Sequence, residues 1–255
     1  MMTEVQPADF PRLLPLFVDN PRHLMAVSAL NGLVEARAFA DNPARPAAAL
    51  VLLSRVGLLF VAGQAQAALP EALRGFRGWY EVSDPPPAWH PALAAWSIKS
   101  RALARYQMNP PPAFDRALLQ RLATPPEGYT LHPYDAALVE KALSEEWSKD
   151  QIDCFGTAEA FLADGLGVAL LQGDALVSGC SSFCRHADGY EIQVDTRADR
   201  QRQGLATCVS AAFILRCLDL GWMPHWDAAN VASLRLAERL GFVLDRAYTA
   251  WDLEG

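Results

Sequence analysis

The stretch GYEIQVDTRADRQRQGLA, residues 189–206, sets out a strand, a charged turn and the start of a helix. Ile192, Val194 and Thr196 alternate onto one face of the strand, and Glu191, Gln193 and Asp195 onto the other. A charged turn over residues 197–200 follows, and Gln201-Arg202-Gln203-Gly204-Leu205-Ala206 then runs into an apolar helix. The first N–H groups of a helix have no intrahelical partner, and the helix dipole adds partial positive charge where they converge. A strand feeding such a turn is therefore a ready anion site. Gly204 lets a ligand approach the backbone closely, and the small Ala206 keeps the first turn uncrowded.

Gln201-x-x-Gly204-x-Ala206 resembles the pyrophosphate loop of the GNAT superfamily, the acetyl-CoA-dependent N-acetyltransferases, whose pattern is Gln/Arg-x-x-Gly-x-Gly/Ala. A second block, Asn230-x-x-Ser233 with Leu236-Ala237 and Leu240-Gly241-Phe242, resembles the family's later helix that ends in Gly-Phe. One helix and one strand fit between the two blocks. The resemblance covers residues 126–255 and is much weaker over 1–125. Trp226-Asp227, with Asn230 and Ser233, looks most like a bacterial branch of uncharacterised two-part GNAT proteins.

The resemblance implies a site. Backbone groups of Val194 and Thr196 would pair with the pantetheine arm of acetyl-CoA, the co-substrate, along a strand splayed from its neighbour. Gln201, Arg202, Gln203, Gly204, Leu205 and Ala206 would cradle the pyrophosphate, and Arg200 could also reach the phosphates. Asn230 and Ser233 would touch the cofactor, and Asn230 would also cap its helix. Arg202 departs from the family by standing where many relatives have glycine, which matters if its φ is positive. Glu191 is the expected general base, with a surface carboxylate as the alternative. The family's usual acid, a tyrosine, falls at Ala237, so Tyr248 is the expected replacement, the alternative being a core aromatic. The segment 145–153, with its carboxylates and Trp147, would wall the acceptor side or form a solvated helix end.

Composition narrows the function classes. The 255 residues are 51% apolar and 20% charged, enough for a packed core and against disorder. Residues 1–125 carry 12 Lys+Arg against 9 Asp+Glu, and residues 126–255 carry 10 against 20. An acidic second half argues against a nucleic-acid partner and would suit a cationic amine. No apolar run is long enough for a membrane span, and the first ten residues lack a signal-peptide pattern. Five cysteines without a Cys-x-x-Cys pair suggest reduced thiols in a cytoplasmic protein and no metal site.

In chain order, residues 9–31 read as helical with a second start at Pro21 capped by Asn20, with strands at 33–40, 47–53, 58–62 and 79–82, and helices near 68–76, 91–107 and 114–122. Proline runs at 110–112 and 125–126 separate the halves. The expected fold is mixed α/β, an α+β mixed sheet. A GNAT catalytic domain would occupy 126–255, and a degenerate GNAT-like domain without an acyl-CoA loop would occupy 1–125. The expected function is acetyl transfer from acetyl-CoA to a small-molecule or peptide amine, by direct attack in a ternary complex. The alternative is a non-catalytic acyl-CoA sensor or interaction module.

Overall fold

The computed structural model describes residues 2–65, 79–96 and 99–254. The expected helix near 68–76 lies outside them. The chain forms two compact units, Met1–Arg105 with Ala247–Gly255, and Tyr106–Arg246.

The first unit begins with β1 (Thr3–Val5), three short 3-10 turns (Pro7–Arg12, Leu14–Leu16, Pro21–His23) and α1 (Leu24–Leu30). Prolines at 7, 11 and 15 remove backbone donors, so the helical pattern ahead of Pro21 resolves into short turns, while Asn20 caps the second start at Pro21, which leads into α1. There follow β2 (Arg37–Ala40), β3 (Ala48–Leu53), β4 (Leu58–Gly63), β5 (Trp79–Val82) and α2 (His90–Trp96). β6 (Lys99–Asn109) overturns the expected continuation of the 91–107 helix. Its Tyr106, Gln107 and Met108 pair with Ala228, Asp227 and Trp226, and this ladder overrides the helical pattern.

The second unit adds α3 (Arg116–Leu122), β7 (Tyr129–Pro133), α4 (Ala136–Ser144), α5 (Asp150–Asp153) and α6 (Ala158–Asp164). Next come β8 (Gly167–Gln172), β9 (Ala175–Arg185), β10 (Gly189–Thr196), α7 (Leu205–Asp219), β11 (Met223–Ala228) and α8 (Val231–Leu240). β12 (Val243–Glu254) closes the chain, and its Trp251–Glu254 end pairs with β5 in the first unit. Within the second unit the strand order is β6-β11-β10-β9-β8-β7.

Both faces of this sheet are covered. Leu205, Val209, Phe213 and Cys217 recur every four residues on α7 and are buried in one cluster with Ile192, Val168 and Leu119. Val139, Ile152 and Phe161, from α4, α5 and α6, pack with Ala169 and Leu176 in another. Leu119 of α3 belongs to the α7 cluster, which draws residues 116–122 into the second unit, ahead of the 125/126 division read from the prolines. All five cysteines are buried free thiols. Among the described residues, no helix is long and apolar enough to cross a membrane.

Candidate active site

β10 sits at a fork. It pairs antiparallel with β9 along Tyr190–Thr196, but parallel with β11 only over Gly189–Glu191, ending at Glu191↔His225. Beyond that point β11 turns its pairing to β6, over Trp226–Ala228. Glu191 marks the fork. Its side chain is buried, and Oε1 accepts the Asp227 N–H at 2.8 Å, an amide on the diverging strand. Oε2 faces His186 Nε2 at 3.4 Å. Burial pushes the Glu191 pKa up, but His186, His225 and the Asp227 N–H together outweigh it and hold the carboxyl below its ordinary value.

Past the fork, the chain enters the turn and α7. Gly204 is the N-cap of α7, with φ +81° and no side-chain cap. A Cβ placed on it would meet no atom within 4 Å, so the backbone at the helix start faces open space. Arg202 also has positive φ, +59°, which makes its departure from glycine a conformational one. Gln201 Nε2 donates to the Thr196 carbonyl at 3.3 Å and ties the turn back to the strand end.

These elements line one cleft of about 930 Å³. Val194 and Thr196 contribute from β10; Gln201, Arg202 and Gly204 from the turn; Leu205 and Ala206 from the start of α7; and Asn230 and Ser233 from the cap and first turn of α8. Gln203 is not among the lining residues, and its Oε1 accepts a hydrogen bond from the Tyr129 hydroxyl at 3.3 Å. Asn230 and Ser233 carry structural duties as well. Asn230 Oδ1 caps α8 through the Ser233 N–H at 3.0 Å, and Ser233 Oγ accepts from Trp226 Nε1 at 3.0 Å.

The two expected catalytic residues fall elsewhere. Glu191 holds the fork and does not line the cleft. The lining residues all belong to the second unit, whereas Tyr248 belongs to the first, where its hydroxyl lies 3.3 Å from Ser83 Oγ and Arg22 lies over its ring. Three further charged residues line the cleft with no cofactor or catalytic role read from the sequence: Asp195, Arg235 and Arg239. The arginines stand four apart on α8, a helical spacing that places both on the face of Asn230's helix that looks into the cleft. Trp147, from the segment expected to wall the acceptor side, lines it too. Asp195 Oδ2 accepts from Gln193 Nε2 at 3.0 Å. Burial is the main cause that raises its pKa, and the Asp150 charge adds to it.

Past Glu191, β10 leaves β11 and runs into a left-handed glycine at the start of α7, within a mixed α/β sheet. The family model for GNAT acetyltransferases matches residues 15–251, and the chain belongs to that family. A GCN5-related N-acetyltransferase-like protein from Streptococcus suis is 35% identical, with a TM-score of 0.88 over 97% of this chain and 99% of that one. An uncharacterised N-acetyltransferase of Bacillus subtilis, YdfB, is 30% identical over 128 residues, so the match spans 49% of this chain and 49% of that relative. A tandem GNAT protein from the clavulanic acid biosynthesis pathway shares the fold at 14% identity, with a TM-score of 0.54 over 100% of this chain and 98% of that one.

Proposed function

We propose that the second unit binds acetyl-CoA in this cleft and transfers its acetyl group to an amine by direct attack, both substrates being bound together. One observation carries the reading: the unpaired edge of β10 runs into a turn whose αL glycine, Gly204, opens the first N–H groups of α7 to the cleft. The N–H groups at the start of a helix bind phosphate oxygens. Arg202, Arg235 and Arg239 add cations that suit a phosphate-rich ligand. The backbone groups of Val194 and the Thr196 N–H would pair with an extended ligand as an added strand does, the Thr196 carbonyl being held by Gln201. The cleft volume lies within the range of small-molecule sites, about 300–1,000 Å³. The thioester supplies an electrophilic carbonyl carbon, and the chain's part is to hold and orient it and to manage the amine's proton.

Gly204→Asp tests this reading, because it puts a negative side chain where phosphate has to approach. Acetyl-CoA at about a hundred times its dissociation constant is expected to stabilise the wild type by about 2.7 kcal/mol and to leave the variant's heat midpoint unmoved. Equal stabilisation of the two proteins would take the turn out of the site.

A further inference from the structure

Resting on the reading above, we infer that the acceptor is an alkyl primary ammonium and that Asp195 receives it and takes its proton. Among the described residues that line the cleft, Asp195 is the one carboxylate, and no histidine, cysteine or tyrosine lines it. A guanidinium has no acceptor lone pair to offer, and the serine, threonine, asparagine and glutamine side chains there are poor bases. Proton acceptance in the cleft therefore falls to this group. Asp195 also stands beside Val194 and Thr196, whose backbone groups are assigned to the acyl donor, so the proton acceptor and the donor's track share one strand.

The surroundings of Asp195 are built. Its cross-strand partner on β9 is Gly179, and a Cβ on Gly179 would collide with Gln151 Oε1 and with the Tyr134 hydroxyl. The glycine thus makes room for two buried polar side chains flat against the sheet. Tyr134 donates its hydroxyl to Gln151 Oε1 at 2.5 Å, which fixes the amide. Gln151 Nε2 is buried and has no partner at hydrogen-bond distance among the described residues, and its interaction with Asp195 favours the carboxylate form. Ser178 Oγ donates to the Asp195 carbonyl at 2.9 Å and pins the backbone.

The charge balance favours a cation. Burial and the charge of Asp150 on α5 both work against the Asp195 carboxylate, and the hydrogen bond from Gln193 and the nearby Gln151 side chain offset them in part. Tyr134 and Cys180 are the other titratable groups that feel this charge, and both stay protonated, since burial raises their pKa values. An alkylammonium supplies the missing positive charge, and Trp147 in the cleft wall offers an aromatic surface to it. Glu191, by contrast, already has a partner on each oxygen and a depressed pKa.

The step balances. An ammonium N–H bond breaks and its proton passes to an Asp195 carboxylate oxygen. The freed nitrogen lone pair forms the C–N bond at the thioester carbonyl carbon, and the C–S bond breaks. The thiolate leaves with that electron pair and takes the second amine proton, and Asp195 returns its own proton to solvent.

The experiment compares wild type with Asp195→Asn, using n-butylamine and 1,4-diaminobutane as acceptors. Free-thiol release, acetyl-CoA affinity, diamine binding to the CoA-saturated protein and heat midpoint are all measured. Loss of a general base is expected to lower kcat/KM by about 10²–10⁴-fold at pH 7, and the deficit should narrow as pH approaches the amine's own pKa. Acetyl-CoA affinity should be unchanged within about threefold, while diamine binding weakens by about fivefold or more, as for a lost partly buried ion pair. The heat midpoint at pH 7 should rise, because a carboxyl with a raised folded pKa is a cost when ionised. That gain should fade as pH falls through the folded value, since protonation then relieves the wild type as well. If Asp195→Asn does not fold, Asp195→Ala with added formate takes its place, and recovery of turnover by formate is expected. Equal rates at every pH, no recovery with formate, or no turnover with either alkylamine by a wild type that binds acetyl-CoA would overturn the inference. A wild type that does not bind acetyl-CoA would instead overturn the reading on which it rests.

Discussion

The two units contain the same fork with different contents. In the first, β4 pairs antiparallel with β3 along its length and parallel with β5 only at Leu58 and Leu59. In the second, β10 pairs with β9 along its length and parallel with β11 only over Gly189–Glu191. What lies past each fork separates them. The end of β4 is taken by a side chain of its own unit: Trp89, fully buried, donates its indole N–H to the Gly63 carbonyl at 3.0 Å. Leu93 and Val61 are buried in the same cluster as Trp89. The end of β10 instead opens on the cleft. An aromatic of its own unit takes the end of β4, and the end of β10 is left open to the cleft.

The largest effect is expected from breaking the filled fork. Trp89→Ala removes a fully buried indole and leaves the Gly63 carbonyl without that donor, at a cost of about 3–5 kcal/mol. Calorimetric unfolding should show the loss. If Trp89 is packing and not a gate, titration of wild type and variant alike should give one acetyl-CoA per chain. Two sites per chain in either protein would mean that the first fork still binds the donor.

A smaller effect is expected at the open fork. Glu191→Leu leaves the Asp227 N–H without its acceptor, which costs about 1–3 kcal/mol, whereas Glu191→Gln keeps an acceptor oxygen and should cost less. The Glu191 contribution should also depend on pH. Its folded pKa lies below the unfolded value, so the stability it adds is present above the ordinary glutamate range, near 4.3, and is lost as pH falls through the folded value. Denaturant titrations at neutral and acid pH should therefore show wild type and Glu191→Leu converging in acid. A constant gap across pH would mean that the leucine variant is destabilised by its shape alone.

Much of the second unit was legible because its signals are local. Alternation along residues 190–196, a glycine at a helix start and four-residue spacing from Leu205 to Cys217 each sit within one or two elements. What was not legible depends on partners far along the chain. The strand over Lys99–Asn109 looks helical until Trp226, Asp227 and Ala228 are beside it. That the Glu191 carboxylate accepts the Asp227 N–H likewise shows only once β11 is beside it. The setting of Asp195 takes Gly179, Gln151 and Tyr134 from three other places in the sequence, so no spacing announces it. Tyr248 ends in the first unit because the last strand crosses back there, a topological fact with no local signature.

The smallest effect concerns Arg202, whose φ of +59° occupies the region glycine reaches freely. A left-handed conformation costs a residue with a Cβ about 1–2 kcal/mol, so Arg202→Gly relieves that strain. Against this, glycine gives the unfolded chain more freedom, worth about 0.4–1 kcal/mol. The difference leaves a net gain of about 0 to 1.6 kcal/mol, so the heat midpoint without ligand should rise slightly. Acetyl-CoA binding should move the other way. Arg202 lines the cleft, and removing its guanidinium takes away one cation near the ligand's phosphates. The affinity of the variant should fall, and it should depend less steeply on salt than that of the wild type. A variant that is more stable yet binds acetyl-CoA as tightly, with the same salt dependence, would mean that the arginine's charge does no binding work. Its backbone alone would then serve the open fork.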